Sequence, residues 1–269
     1  MDEAERKYEV LKEYLKSLGS VALAFSGGVD STFLLMAAKE ALGDDVLAVT
    51  ACACLFPEVE QAETEVFCRE HHIRQEKLSF DVLSVSGFRE NPPNRCYLCK
   101  YSLFVHMAEV AKRHGISHIV EGSNMDDRGD YRPGMQAVKE LGIKSPLQEA
   151  GLYKSEIRRL SKAMGLNTWD KPSLACLASR FVYGETIDED KLGMVEKAEQ
   201  KLRKLGFRQV RVRIHGGLAR IEVPESELPK LMQDEVRVEI YRYLQELGFT
   251  YVALDLEGYR TGSMNEALI

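Results

Sequence analysis

Three cysteines and one glycine-rich hexapeptide carry the chemistry legible in this 269-residue chain. Cys96 and Cys99 stand in NRCYLCK with CxxC spacing, and Cys176 stands in KPSLACLASR among small and apolar neighbours. CxxC brings two thiolates together within one local turn, the arrangement of metal sites and redox dithiols. Cys176 lies far beyond Cys99 in the chain, so only the fold can bring it to them. Three thiolates are one short of the four that usually hold a cubane iron–sulfur cluster, which would leave one iron open to bind sulfide. Structural zinc would want four nitrogen or sulfur ligands, and no nearby fourth ligand is obvious, His106 and His114 staying open. Taken alone, Cys176 also reads as a buried small hydrophobe. Cys52, Cys54 and Cys68 read as buried structural thiols.

The hexapeptide is SGGVDS, Ser26 to Ser31, directly after the apolar run VALAF. A buried strand passes through two glycines into a helix beginning near Asp30 or Ser31. Glycines let backbone approach an anion closely, and a helix N-terminus offers unpaired N–H groups and the positive end of a dipole. That is a phosphate cradle. The GK[ST] ending of a Walker A loop is missing, and no lysine follows.

Around these residues the chain alternates short β-rich runs with helical patterns. Val21–Phe25, Val46–Thr50, Ile73–Leu78 and His118–Glu121 read as strands. Ser31–Leu42, Pro57–His71, Tyr101–His114 and Lys154–Met164 read as helices, and Ile143–Leu147 is a further strand candidate. This rhythm predicts an α/β fold, a parallel doubly wound sheet over residues 1–180 that binds ligands beyond the carboxyl ends of its strands. Past Arg180 the pattern changes to a charged amphipathic helix, Asp188–Leu205. Alternating strands Gln209–Ile214 and Leu218–Val223 follow, joined through His215-Gly216-Gly217, then a long helix to Leu247 and a strand Tyr251–Leu256. A smaller α+β domain over residues 181–269 is expected.

Composition narrows the class. A hydrophobic content of 45% supports a sizeable core, and no apolar run approaches the length of a membrane span. The first residues, MDEAERKYEV, are acidic and helical rather than signal-like, so a cytoplasmic protein without a membrane partner is expected. The net charge of −6 gives no overall footprint for nucleic acid. In Gln209–Ile214, Arg211 and Arg213 alternate with Val210, Val212 and Ile214. Both guanidinium groups therefore leave one face of a strand, suited either to a solvated surface or to bidentate binding of phosphate.

SGGVDS resembles the pyrophosphate loop of the PP-loop ATP pyrophosphatase superfamily, whose members adenylate a substrate oxygen and release pyrophosphate. EGSNMDDRGDYRPG, SPLQEAGLYKSEIRRL, LASRFVYG, VRVRIHGGLARIEVPE and LDLEGYRTGSMNEAL look like the LarE family. These are ATP-dependent sulfur transferases acting on pyridinium-3,5-biscarboxylic acid mononucleotide in nickel-pincer cofactor synthesis. The likeness runs along nearly the whole chain.

The resemblance implies that Ser26, Gly27, Gly28, Asp30 and Ser31 bind ATP, Asp30 assisting with Mg²⁺. It implies that Arg211 and Arg213 belong to the substrate phosphate site, with Glu199 matching an acidic residue near it; Arg180, just after the Cys176 segment, is a candidate anion or AMP contact. Asp126 is a weaker candidate on the nucleotide or Mg²⁺ side, and Asp130 reads as turn and cap chemistry. Cys176 matches the cysteine that single-cysteine members sacrifice. The additional Cys96 and Cys99 resemble the three-cysteine subgroup, whose thiolates hold a [4Fe-4S] cluster. A cluster, a sacrificed Cys176, and zinc or a redox dithiol stay open as sulfur chemistry; a tRNA thiolase of the same superfamily and an ATP- and metal-binding sensor stay open as functions. The family also implies a small-molecule substrate and a homo-oligomer.

Overall fold

The computed structural model describes residues 2–128, 133–172, 175–260 and 262–268. The chain divides into two compact units, one of residues 1–81 and 96–174, the other of residues 82–95 and 175–269.

The first unit opens with helix α1 (Glu3–Leu18), strand β1 (Val21–Ala24), α2 (Val29–Leu42), β2 (Val46–Cys52), α3 (Glu58–Glu70) and β3 (Arg74–Ser79). It continues with α4 (Arg95–Arg113), β4 (His118–Val120), α5 (Pro133–Glu140), α6 (Pro146–Glu149) and α7 (Lys154–Ala163). The sheet order is β3-β2-β1-β4, parallel throughout, with Val21 opposite both Val46 and His118. Helices cover both faces. Val21 and Leu23 point to the side packed by Leu11 and Leu15 of α1, Phe33 of α2 and Ile157 of α7, while Ala22 points to the side of Phe104 and Met107 of α4 and Val138 of α5. This is the doubly wound arrangement expected from the alternating pattern. Helix α2 is buried nearly all round, from Phe33 through Ala38 with only Met36 partly exposed, because α1, α7 and the sheet enclose it. Cutting Phe33 to Ala would cost about 3–5 kcal/mol of core packing and loosen the helix that starts at the glycine loop.

Two details depart from the sequence reading. The Ile143–Leu147 run forms no strand: Lys144 makes one isolated bridge to Val120 and the chain turns into α6 at Pro146. Proline has no N–H for a ladder and suits the first turn of a helix. Helix α4 starts at Arg95, six residues before the expected Tyr101, just past Pro92-Pro93, so both thiols of NRCYLCK lie within its first turns.

In the second unit a short 3₁₀ turn (Leu177–Arg180) precedes α8 (Glu189–Lys204), β5 (Arg211–His215), β6 (Leu218–Glu222), α9 (Leu228–Leu231), α10 (Asp234–Glu246) and β7 (Tyr251–Leu254). The sheet order is β5-β6-β7, antiparallel between β5 and β6 and parallel between β6 and β7. Among the described residues no helix is long and apolar enough to cross a membrane.

Candidate functional site

The predicted site residues fall into two groups, one in each unit. In the first unit, β1 delivers the loop Ser26–Gly28 onto the N-terminus of α2. Gly27 has φ +68°, a left-handed conformation that costs an L side chain roughly 1–2 kcal/mol. A Cβ there would also stand 3.0 Å from Thr64 Cγ2. Gly28 is the N-cap and has no side chain to occupy the N–H groups of Val29, Asp30 and Ser31, so their positive end faces outward for an anion. Ser26 Oγ lies 3.0 Å from Ser31 Oγ, which closes the loop across its mouth.

Gly122, just beyond β4, presses against the same helix turn: a Cβ there would meet Ser31 N at 3.2 Å and Asp30 C at 3.4 Å. Beside it the buried Glu121 accepts hydrogen bonds from Ser145 Oγ (2.6 Å), Ser123 Oγ (2.7 Å) and Ser123 N (3.1 Å), which locks the strand end in place.

Asp30 accepts a hydrogen bond from Lys154 Nζ at 2.5 Å through Oδ2. Its Oδ1 is buried without a hydrogen-bond partner among the described residues. Burial pushes this carboxyl up from the usual aspartate range, against the pull of Lys154 and the Asn124 amide. An orphaned carboxylate oxygen beside a phosphate cradle suits Mg²⁺, which binds through one or two carboxylates together with substrate phosphates. Asp126 is exposed and accepts a hydrogen bond from the backbone N–H of Lys154 at 2.6 Å, which caps α7. Asp130 lies outside the described residues.

Sequence reading missed two lysines at this loop. Besides Lys154, Lys171 donates to the carbonyl of Gly27 at 3.1 Å and to Glu63 at 2.6 Å. The signal was weak, because their partners lie more than a hundred residues upstream and neither lysine sits in a phosphate-binding motif.

Cys96 and Cys99 sit at i and i+3 in the first turns of α4 and therefore on one helix face. Since α4 leads into β4, parallel to β1, its N-terminus lies at the carboxyl edge of the sheet, the edge that carries the glycine loop. Lys100, the next residue, reaches to 3.8 Å from Glu121. The two thiols of the CxxC pair are thus at the edge of the sheet that carries the glycine loop. Cys176 belongs to the other unit, where it precedes the 3₁₀ turn. Among the described residues no three His, Cys, Asp or Glu side chains converge to hold a metal ion. Cys68 is buried, which pushes its thiol up to about 12, as befits an inert structural thiol; Cys52 and Cys54 are only partly buried.

The second unit collects arginines. Arg180 donates through Nε and Nη2 to both oxygens of Glu199, at 2.8 and 2.9 Å, and through Nη1 to the carbonyl of Cys176 at 3.0 Å. Arg203 adds a 2.7 Å contact to Glu199. Arg213 is bidentate on the buried Glu222 and also donates to Ser179 O (2.6 Å) and Ser263 Oγ (2.9 Å). Arg211 lies over the Tyr259 ring at 5.3 Å; burial and the Arg180 charge disfavour its cation. Both β5 arginines are buried, with 3% and 6% exposure, so the solvated-face alternative does not hold. A cavity of about 320 Å³ is lined by Arg180, Arg213, Arg220, His215 and Ser263. Three guanidinium groups line this one hollow, each paired with a carboxylate: Arg180 with Glu199, and Arg213 and Arg220 with Glu222.

No protein-family model matches the chain. An uncharacterised protein of Synechocystis is 42% identical over 265 residues, covering 98% of both chains. The pyridinium-3,5-bisthiocarboxylic acid mononucleotide synthase of Lactiplantibacillus plantarum is 39% identical over 263 residues, covering 97% of this chain and 95% of that one. A tRNA-specific 2-thiouridylase of Clostridium botulinum is 26% identical over 195 residues, 58% of this chain and 53% of its own. The nucleotide-type loop at a parallel sheet edge and a likeness that runs end to end together place the chain in the LarE family of ATP-dependent sulfurtransferases, within the PP-loop superfamily.

Proposed function

We propose that this enzyme adenylates a carboxylate of pyridinium-3,5-biscarboxylic acid mononucleotide and replaces the activated oxygen with sulfur, a step toward the nickel-pincer cofactor. The observation that carries the substrate is the chain-long 39% identity to the Lactiplantibacillus plantarum synthase. The chemistry follows from the residues. A carboxylate is a poor acylating agent. Its oxygen attacks the α-phosphorus of ATP, the bond to the β-phosphate oxygen breaks, and pyrophosphate leaves with the electron pair. A sulfur nucleophile then attacks the acyl carbon and AMP departs, leaving a thiocarboxylate.

The loop Ser26–Ser31 holds the phosphates through backbone N–H groups at the start of α2, and Asp30 would hold Mg²⁺, whose charge offsets that of the phosphates. Arg213, which lines the cavity, and Arg211, two positions along the same strand, suit the phosphate of the mononucleotide. Sulfur delivery is assigned to a [4Fe-4S] cluster on Cys96, Cys99 and Cys176, which when bound would offer an exchangeable sulfide at its open iron. The CxxC pair at the nucleotide edge supports it.

The test is anaerobic purification with iron and sulfide analysis, and intact mass before and after one reaction. Iron with an unchanged chain mass is expected. Absent iron with loss of one H₂S from Cys176 would replace the cluster by the sacrificial route, in which the Cys176 thiolate forms a thioester and β-elimination leaves dehydroalanine.

A further inference from the structure

We propose that Lys154 and Lys171 are the phosphate-binding cations of this nucleotide site. The inference rests on the reading of Ser26–Ser31 as an ATP loop and adds to it the charge that the loop lacks. SGGVDS contains no basic residue. Adenylation nevertheless requires a pyrophosphate to leave, and its charge grows as the bond to the α-phosphorus breaks. Fixed cations beside a leaving group act more strongly as that charge develops.

The fold supplies two, one at each end of the loop. Lys171 stands on the carbonyl of Gly27, the left-handed residue at the loop's start. Lys154 stands on the carboxylate of Asp30, in the first turn of α2. Each comes from a distant part of the chain, Lys154 from the first position of α7 and Lys171 from the segment leading to Cys176. Their side chains are 31% and 17% exposed, so a ligand can reach both ammonium groups.

Their present partners can be exchanged. Glu63, which holds Lys171, is 54% exposed, and a surface ion pair of that kind is worth only about 0–1 kcal/mol. Asp30 holds Lys154 with one oxygen, and its side chain is 23% exposed. A polyphosphate arriving at the N-terminus of α2 offers both lysines a more highly charged acceptor than either carboxylate. The ammonium groups stay protonated throughout; they bind the leaving pyrophosphate and transfer no proton.

The alternative is that both ion pairs are braces, Lys154 tying α7 to α2 and Lys171 tying its segment to α3. Binding of inorganic pyrophosphate, ATP and AMP separates the two, measured calorimetrically on the intact protein and on Lys154→Gln and Lys171→Gln. The proposal expects each variant to bind pyrophosphate and ATP about tenfold or more weakly, the loss of a charge-assisted hydrogen bond, with AMP affinity within about twofold of the parent. Retained AMP binding also reports that the variant is folded. Lys154→Arg and Lys171→Arg should recover part of the loss. If the parent binds no ATP, the nucleotide reading itself fails. If the parent binds ATP and both Gln variants bind ATP and pyrophosphate as the parent does, the lysines are braces and the proposal falls. Equal loss of AMP and pyrophosphate affinity would overturn it as well.

Discussion

Arg180 and Glu199 form a two-bonded ion pair in which Nε and Nη2 meet Oε1 and Oε2 at 2.8 and 2.9 Å, with side chains 1% and 0% exposed. The same guanidinium donates to the carbonyl of Cys176 and the same carboxylate accepts the N–H of Val212 in β5 at 3.1 Å. The pair therefore ties the cysteine segment to α8 and to the arginine strand. Removing one partner of a buried pair leaves the other charge uncompensated, so Glu199→Ala should lose about 3–5 kcal/mol of unfolding free energy, and Glu199→Gln less. Urea denaturation gives the answer. An unchanged midpoint with a raised substrate KM would make Glu199 a substrate contact instead of a brace.

The same pair has a pH signature. Burial raises the Glu199 carboxyl, yet Arg180, Arg211 and Arg203 outweigh it and hold the group below its ordinary value of 4.5. A folded carboxylate held down contributes stability that is complete above the unfolded value and lost as pH falls through the folded one. The stability difference between the parent and Glu199→Gln should therefore shrink as pH is lowered from neutrality to below about 4. A difference constant over that range would remove the ionised carboxylate as its cause.

Two glycines set the shape of the nucleotide loop in different ways. Gly27→Ala places an L residue at φ +68° against Thr64 and should cost roughly 1–2 kcal/mol of stability. Gly122→Ala places a Cβ 3.2 Å from Ser31 N, so it should shift the first turn of α2 and weaken ATP binding about tenfold, with a stability loss of under about 1 kcal/mol. Calorimetric ATP titration beside thermal denaturation separates the two effects. Parent-like ATP affinity in Gly122→Ala would show that the helix turn can move without harm to the site.

Much of this architecture was legible from spacing. A strand, two glycines and a helix start follow a pattern set by local backbone geometry, and the structure has them at Ala24, Gly27–Gly28 and Val29. The alternation of Arg211 and Arg213 with Val212 and Ile214 located a strand, although its two faces proved equally buried, since Glu222 and Glu199 give each arginine's neighbourhood a carboxylate. Burial of charge depends on partners elsewhere in the chain, and no local pattern reports them. Lys154 and Lys171 escaped for the same reason. Residues 82–95 group with the second unit although they follow β3 and end on the first residue of α4, an excursion that no composition change announces.

Arg211 and Arg213 carry the prediction for the substrate. Arg211→Gln with Arg213→Gln should raise the KM for the mononucleotide at least about tenfold, the loss of charge-assisted contacts to a phosphate, with the ATP KM unchanged. Lysine at both positions should not restore it, because an ammonium lacks the planar fork that suits bidentate binding. Steady-state kinetics with each substrate varied in turn decides. An unchanged mononucleotide KM would take both arginines out of the substrate site.

Asp30 offers a trade between stability and function. Its carboxyl is raised by burial, so the folded protein holds a proton there at pH values where the unfolded chain has already lost it. For an acid raised in this way stability falls as pH rises from the ordinary value near 3.8 through the folded value, and the full penalty applies above that window. Asp30→Asn removes the penalty. The variant should unfold with about 0.5–2 kcal/mol more difficulty at pH 7.5, the gain common when a strained functional group is neutralised, and the advantage should narrow toward pH 4. It should also lose ATP–pyrophosphate exchange, since a neutral amide replaces the carboxylate whose charge suits Mg²⁺. Urea titrations of both proteins across that range measure the gain. A variant less stable than the parent at pH 7.5 would mean that the Lys154 pair outweighs burial, and Asp30 would then stand as a structural residue of α2.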